Sequence, residues 1–260
     1  MLLAFDIGNT NIVIGLFENN KLKKQWRLAT DRNKTTDDLA IDFIELFLTD
    51  KIDCIKIEGV IIGSVVPTLT NKVFEAAKKF TSTAISDKIF VIGDNKTELN
   101  IDIKITNKKE VGHDRLINAI SAFEKFGGNL IVVDFGTATT FDVIGKNGEY
   151  LGGIIAPGIN LSLKALHEMT AQLPKISVKK QSNVIGKTTI EAMNSGVYFG
   201  YLSLIEGLFA RIEKELGCKT KHVLTGGLSE IFKDDLGQLV DHFEPHLTIE
   251  GLQIIYNQNN

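Results

Sequence analysis

Leu3-Ala4-Phe5-Asp6-Ile7-Gly8-Asn9-Thr10-Asn11 opens the chain, and Val132-Val133-Asp134-Phe135-Gly136-Thr137-Ala138-Thr139-Thr140 repeats its plan just past the middle. Each begins as an apolar run that reads as a buried strand and closes on Asp. A Gly follows two positions on, then short hydroxyl or amide residues, then a second strand over residues 12–17 or 141–144. Two β–turn–β units set about half a chain apart point to a duplicated nucleotide-binding fold with its ligand between the halves.

The turn chemistry explains why phosphate is the ligand to expect. An Asp at a strand end puts a carboxylate at the sheet edge, where it can hold a hydrated divalent cation. Gly8 and Gly136 let the backbone turn and approach a ligand with no Cβ in the way. The short residues after them leave backbone N–H groups free to converge on anionic oxygens as a nest. No Lys is required if a metal carries the positive charge. One copy alone reads equally as a tight hairpin with an Asx turn; a second copy behind another apolar strand favours phosphate.

At 260 residues and 43% hydrophobic, the chain can bury one large core or two small ones. Its net charge of -3 argues against a broad basic face, so nucleic acid is not an expected ligand. Cys54 and Cys218 have no metal or redox spacing and read as packed thiols of a reduced, cytoplasmic protein. Asp6 ends the first apolar run far short of a signal-peptide core, and no stretch is long enough to span a bilayer.

The periodicity predicts strands over 2–7, 12–18 and 22–29, then a helix over 36–48 opened by a Thr35/Asp38 capping box. A strand over 60–63, a helix from Pro67 to about residue 80 and a strand over 89–92 follow. Residues 94–109 are polar and read as a surface crossover, and a helix over 109–126 bridges the halves. The second half repeats the order: strands at 130–134, 139–144 and 150–156, helices from about 159 and 188, a strand at 222–224 and a short helix at 250–256. This order describes two mixed α/β lobes around a cleft.

Further motifs carry chemistry. Gly112-His113-Asp114-Arg115 opens the bridging helix: Asp can take a proton from a hydroxyl, and Arg can grip a carboxylate in a fork. The same pair also suits a helix start on dipole grounds alone. Gly152-Gly153 through Pro157-Gly158 leads from a strand into a helix N-terminus, which offers donors to an anion, or is simply a strand edge and turn. Ile185-Gly186-Lys187-Thr188 resembles the tail of a Walker A loop, but Gln181 stands where its first Gly belongs. Thr188 and Glu191 instead form a capping box. The helix after it shows Ile190, Met193, Val197, Tyr201, Leu204, Leu208 and Ile212 on one face, with Gly196, Gly200 and Gly207 open to a close neighbour. Leu224-Thr225-Gly226-Gly227 can admit an adenosine. His242 and His246 are separated by Pro245 and read as solvated rather than as a metal pair.

Taken together, the motifs resemble a known family. The paired Asp-x-Gly turns with Gly226-Gly227 are similar to the actin, sugar kinase and heat-shock ATPase superfamily, an α/β, duplicated, ribonuclease-H-like fold. The ordered set is narrower. Asp6 through Asn11, Gly63-Ser64-Val65-Val66-Pro67, Gly112-x-Asp114-Arg115, Asp134-x-Gly136-Thr137-Ala138-Thr139, Gly152-Gly153 through Pro157-Gly158, and Gly186-Lys187-x-Thr189 resemble type III pantothenate kinases. That resemblance implies ATP-dependent phosphorylation of pantothenate to 4'-phosphopantothenate, the first step toward coenzyme A.

By position it implies that Asp6, Ile7, Gly8, Asn9, Thr10, Asn11, Ile12 and Val13 form the first phosphate loop, with Asp6 near a divalent cation such as Mg2+. Thr137 would contact ATP, and Asp134 would hold a monovalent cation, K+ or NH4+. Gly112, His113, Asp114 and Arg115 would bind pantothenate with Asp114 as general base, and Thr189 would complete the pocket. The resemblance also implies a homodimer with the substrate site at the subunit interface. The expected lobes are residues 1–112, with the first loop, and 113–260, with the second loop and the adenosine-side glycines.

The chain departs from the family where many relatives have Ala for His113 and Tyr for Ile105, and where the usual Asn-Pro is Asn107-Lys108. The other readings are a different small-molecule kinase of the superfamily and a non-catalytic regulatory relative.

Overall fold

A computed structural model describes residues 1–81 and 83–260. Two five-stranded sheets carry the fold, and both follow one strand plan. In the first, β1 (Leu2–Ile7), β2 (Asn11–Glu18) and β3 (Lys21–Ala29) form an antiparallel meander. β4 (Gly59–Ser64) and β5 (Ile89–Val91) add in parallel on the other side of β1, in the order β3-β2-β1-β4-β5. In the second, β6 (Leu130–Phe135), β7 (Ala138–Ile144) and β8 (Tyr150–Pro157) form the meander, and β9 (Lys221–Thr225) and β10 (His242–Phe243) follow in parallel. The order β8-β7-β6-β9-β10 repeats the first sheet strand for strand.

Alternation along β1 sorts its side chains to two faces, as strand geometry demands. Leu3, Phe5 and Ile7 join a core with Leu39 and Phe43 of α1 (Thr36–Thr49) and Leu69 and Val73 of α2 (Pro67–Phe80). Leu2 and Ala4 turn the other way, toward Ile117 and Ile120 of α3 (His113–Phe126) and Leu252 and Ile255 of α7 (Leu247–Asn259). Phe43 is fully buried with its ring 5.0 Å from that of Phe5; truncating it to Ala would cost about 3–5 kcal/mol. The expected capping box opens α1: Thr35 Oγ1 accepts from Asp38 N–H at 3.2 Å, and Asp38 Oδ2 accepts from Thr35 N–H at 2.9 Å.

In the second sheet Ile131, Val133 and Phe135 of β6 pack with Leu163 of α4 (Ile159–Glu168) and with Tyr198, Ile205 and Phe209 of α5 (Thr189–Leu216). The short α6 (Lys233–Leu236) adds Leu236 to the same core.

The structure alters several expectations. The bridging helix begins at His113, because residues Lys108–Glu110 form a separate 3-10 turn capped by the Asn107 side chain, and Val111 is extended. The last helix runs from Leu247 to Asn259 and is longer than its apolar pattern. Two compact units emerge, residues 1–101, 107–121 and 247–260 in one and 102–106 and 122–246 in the other, rather than the division at 112. α7 returns to the first unit because Gly251 lets it lie against Ile117 and Ser121 of α3, where a methyl would come within 2.7 Å of Ile117. His242 is half-buried, stacked on Phe126 at 3.7 Å, whereas His246 is exposed. Cys218 is at the surface rather than packed. Among the described residues no helix is long and apolar enough to cross a membrane.

Candidate functional site

The first loop sits at the carboxyl end of β1. Ile7 and Ile12 form the last pair of the hairpin, with Gly8, Asn9, Thr10 and Asn11 between them. Gly8 N–H donates to the Asn11 carbonyl at 2.9 Å. Residues just past β3 hold the loop from outside: Thr30 N–H donates to the Thr10 carbonyl at 3.0 Å, and the Thr30 hydroxyl to the Gly8 carbonyl at 2.7 Å. Arg32 Nη2 donates to Asn9 Oδ1 at 2.9 Å. With these carbonyls engaged, the exposed Asn9 and Thr10 form the tip. Asp6 is half-buried and in register with Val13 and Gly63. Ile7 and Ile12 belong to the core, so only their main chain is available to a ligand.

The parallel strands bring a second group to that edge. Ser64 of β4 pairs with Ile7, Val91 of β5 pairs with Ile62, and Ile92 N–H donates to the Ile62 carbonyl at 2.9 Å. Gly93 therefore emerges at the same strand ends as the first loop, where α/β sheets bind ligands. It has φ +96°, and the imidazole of His113 rests on it; a methyl there would come within 2.4 Å of His113 Cε1. This contact docks the N-terminus of α3 on the sheet edge and so places Asp114 and Arg115. Asp114 Oδ1 folds back to accept from Arg115 N–H at 2.9 Å and covers Gly112, where a methyl would lie 2.4 Å from it. A carboxylate at this end of a helix is favoured by the dipole.

The second loop, after β6, is one residue shorter. Phe135 pairs with Thr139, leaving Gly136, Thr137 and Ala138 between them, and Gly136 N–H donates to the Ala138 carbonyl at 3.0 Å. Two glycines back it. Gly226 follows β9 with φ +91°, and a methyl on it would come within 2.4 Å of Asp134 Oδ1. Gly158, the N-cap of α4, is so close that a methyl would lie 2.0 Å from the Thr137 carbonyl oxygen. The α4 N-terminus thus abuts the loop and brings its backbone donors there. Thr139 is fully buried, and among the described residues its hydroxyl has no hydrogen-bond partner.

Gly186, Lys187 and Thr188 close over the first turn of α5. Thr188 Oγ1 accepts from Glu191 N–H at 3.2 Å, and Glu191 Oε2 accepts from Lys187 N–H at 2.7 Å. The segment is a helix cap, not a phosphate loop. Thr189 is exposed beside an open groove of about 570 Å³ that also takes in Met193, Gly196, Gly200, Tyr201 and Leu166. A methyl on Gly196 or Gly200 would meet nothing within 4 Å. Among the described residues, then, nothing packs against α5 at Gly196 and Gly200, and Ile190 is half exposed. Among the described residues no group of three or more His, Cys, Asp or Glu could hold a metal by itself.

Thr30, Arg32 and Gly93 were not among the residues picked from the sequence. A run of Thr30-Asp31-Arg32 after a strand is ordinary loop composition, and a lone Gly93 in a polar segment signals only a turn.

Residues 2–211 match the family model for type III pantothenate kinase. A type III pantothenate kinase of Moorella thermoacetica is 42% identical over 259 residues, covering 100% of both chains. Among solved structures, a Campylobacter jejuni protein provisionally described as a Baf family transcriptional activator superposes with TM-score 0.58 at 22% identity, covering 99% of this chain and 98% of that one. A Sinorhizobium meliloti protein provisionally assigned as a 2-dehydro-3-deoxygalactonokinase superposes with TM-score 0.56 at 11% identity, covering 99% and 96%. At such identities the structural likenesses establish the fold, that of the actin-like sugar kinases.

Proposed function

The chain belongs to the type III pantothenate kinase family, enzymes that use ATP to phosphorylate pantothenate, and on that premise we propose a role for each part of its site. Asp114 is the general base for the primary hydroxyl. Its Oδ1 is held by Arg115 N–H, which leaves Oδ2 to accept the hydroxyl proton as the phosphoryl group arrives. The Arg115 guanidinium grips the pantothenate carboxylate, and Gly112 and His113 shape the pocket floor. Residues Asp6 to Val13 cradle the ATP phosphates through backbone donors, and Thr137 contacts ATP from the second loop. Phosphoryl transfer asks chiefly for positioning and charge stabilisation, and these residues offer both.

The observation that carries this reading is the docking of His113 on Gly93, which brings Asp114 to the strand ends bearing the first loop. One Asp before each loop, with no group of three or more His, Cys, Asp or Glu among the described residues, suits a divalent ion such as Mg2+ held largely by the nucleotide's own phosphates. Asp6 would hold that ion, which neutralises phosphate charge when bound. Asp134 would hold K+ or NH4+. The uncovered Gly196/Gly200 face beside Thr189 supports a homodimer in which a second copy completes the substrate pocket. A cytoplasmic location belongs to the same proposal.

The test is ADP release with ATP, Mg2+ and pantothenate, run in potassium and then in sodium, on the chain and on Asp114→Asn. The expected outcome is pantothenate-dependent release that is faster in potassium and falls about 10²–10⁴-fold in Asp114→Asn. Turnover near that of the parent chain in Asp114→Asn would remove Asp114 as the base.

A further inference from the structure

The first loop has no Lys or Arg of its own between Asp6 and Val13. A cation nevertheless stands at its tip. Arg32 reaches back across 23 positions to donate Nη2 to Asn9 Oδ1 at 2.9 Å. A guanidinium carries five N–H donors in a fixed fork, so this bond orients the group and leaves most of its donors open.

The surroundings hold Arg32 without neutralising it. Lys72 of α2 donates to the Arg32 carbonyl at 3.1 Å and to the Lys34 carbonyl at 2.8 Å, which pins the backbone on one side. Thr30 pins it to the loop on the other. The acids of the same segment are engaged elsewhere: Asp31 accepts from Asn33 N–H, Asp37 pairs with Lys79, Asp38 closes the α1 cap and Asp42 pairs with Lys34. Among the described residues no carboxylate is ion-paired with Arg32, and its side chain is exposed.

We propose that Arg32 is a phosphate-gripping catalytic residue, whose guanidinium, aimed by Asn9, contacts the terminal phosphoryl group of the nucleotide on the first loop. The inference rests on the reading of Asp6 to Val13 as the ATP phosphate loop. An arginine fork matches two phosphoryl oxygens at once, which a point-charge ammonium does not. Its charge would count most on the group being transferred, because the transition state spreads charge over those oxygens. The bond to Asn9 sets the geometry before the nucleotide arrives, so little reorganisation is needed at the moment of transfer.

The experiment is calorimetric titration of the full chain and of Arg32→Gln, Arg32→Lys and Asn9→Ala with Mg2+–ATP and with Mg2+–ADP, alongside steady-state kinetics. One charge-assisted bond to the terminal phosphoryl group predicts a loss of roughly 10–100-fold in ATP affinity for Arg32→Gln. ADP affinity should change no more than about threefold, and the KM for pantothenate should hold. Arg32→Lys should restore charge but little of the discrimination, and Asn9→Ala should lose part of it with Arg32 still present. Equal losses for ATP and ADP would mean that Arg32 only shapes the loop, and unchanged ATP affinity would remove it from the site; either result overturns the proposal. If the parent chain binds ATP but ignores pantothenate, the acceptor assignment fails while the ATP–ADP comparison still decides Arg32. If the parent chain binds neither nucleotide, the phosphate-loop reading falls and this proposal with it.

Discussion

The loop after β1 and the loop after β6 start from the same Asp-x-Gly pattern but are held by different parts. Side chains brace the first: Thr30 and Arg32 hydrogen-bond to Gly8 and Asn9 from outside the hairpin. Backbone braces the second: Gly158 presses on the Thr137 carbonyl, and Gly226 lies against the Asp134 carboxylate. Duplication preserved the strand order and the turn, while the supports diverged. The reason is steric. The shorter second loop lies directly under the α4 N-terminus, where only a residue without Cβ fits, whereas the first has room for longer side chains to reach in. Neither Gly8 nor Gly136 has a positive φ, so the glycines of the motif itself are not forced by backbone conformation. At Gly8 a methyl would crowd the Asn11 carbonyl oxygen at 3.1 Å, whereas at Gly136 it would have room, so open approach for a ligand is the rationale for Gly136.

The comparison breaks most readily at Gly158. Gly158→Ala puts a methyl 2.0 Å from a backbone carbonyl oxygen that cannot swing aside. The expected cost is roughly 3 kcal/mol or more. Thermal unfolding should then drop by about 6–12 °C, with ADP release lost. A melting temperature within about 2 °C of the parent chain would show that the second loop is not backbone-braced.

Gly226→Ala should cost a similar amount, roughly 3 kcal/mol, because the methyl would meet backbone atoms of Phe135 at 2.5 and 2.7 Å as well as the Asp134 carboxylate, and the φ of +91° adds strain. It should displace Asp134 and abolish the preference for potassium over sodium; an intact preference would separate Gly226 from the cation site. On the first loop, Thr30→Val removes one hydroxyl bond to Gly8 at nearly constant volume. About 1 kcal/mol is at stake, read as a roughly fivefold rise in the KM for ATP. A larger effect than that of Gly226→Ala would reverse the comparison. The smallest change is expected for Gly136→Ala, whose methyl would meet its nearest atoms at 3.5 and 3.7 Å. Stability should stay within about 0.5 kcal/mol by denaturant titration, and any defect should be confined to nucleotide binding.

Much of the frame was legible in the residues. The strand runs, the Thr35/Asp38 and Thr188/Glu191 capping boxes and Pro67 at a helix start all hold in the structure, because each acts within one turn of chain. The Gly186-Lys187-Thr188 segment is a helix cap, as the missing glycine at position 181 indicates. The glycines of α5 were open to either internal packing or a partner; in the structure Gly196 and Gly200 face empty space. The bridging helix begins later than its apolar pattern, since Gly112 and the extended Val111 interrupt it. His242 owes its burial to Phe126, a residue 116 positions away that no local pattern connects to it.

By itself the sequence determined the duplicated strand–turn–strand plan, the alternation that gives β1 two buried faces, and the ordered motifs that mark the family. Those features depend on side-chain period and turn chemistry, which are local. Only the tertiary structure decided that α7 packs on the first sheet, that His113 sits on Gly93, that Arg32 reaches the tip of the first loop, and that Gly158 and Gly226 press on the second. Each of these joins residues far apart along the chain, and each turns on whether a few ångströms of space remain once both backbones are in place. That quantity is set by packing, not by composition or spacing.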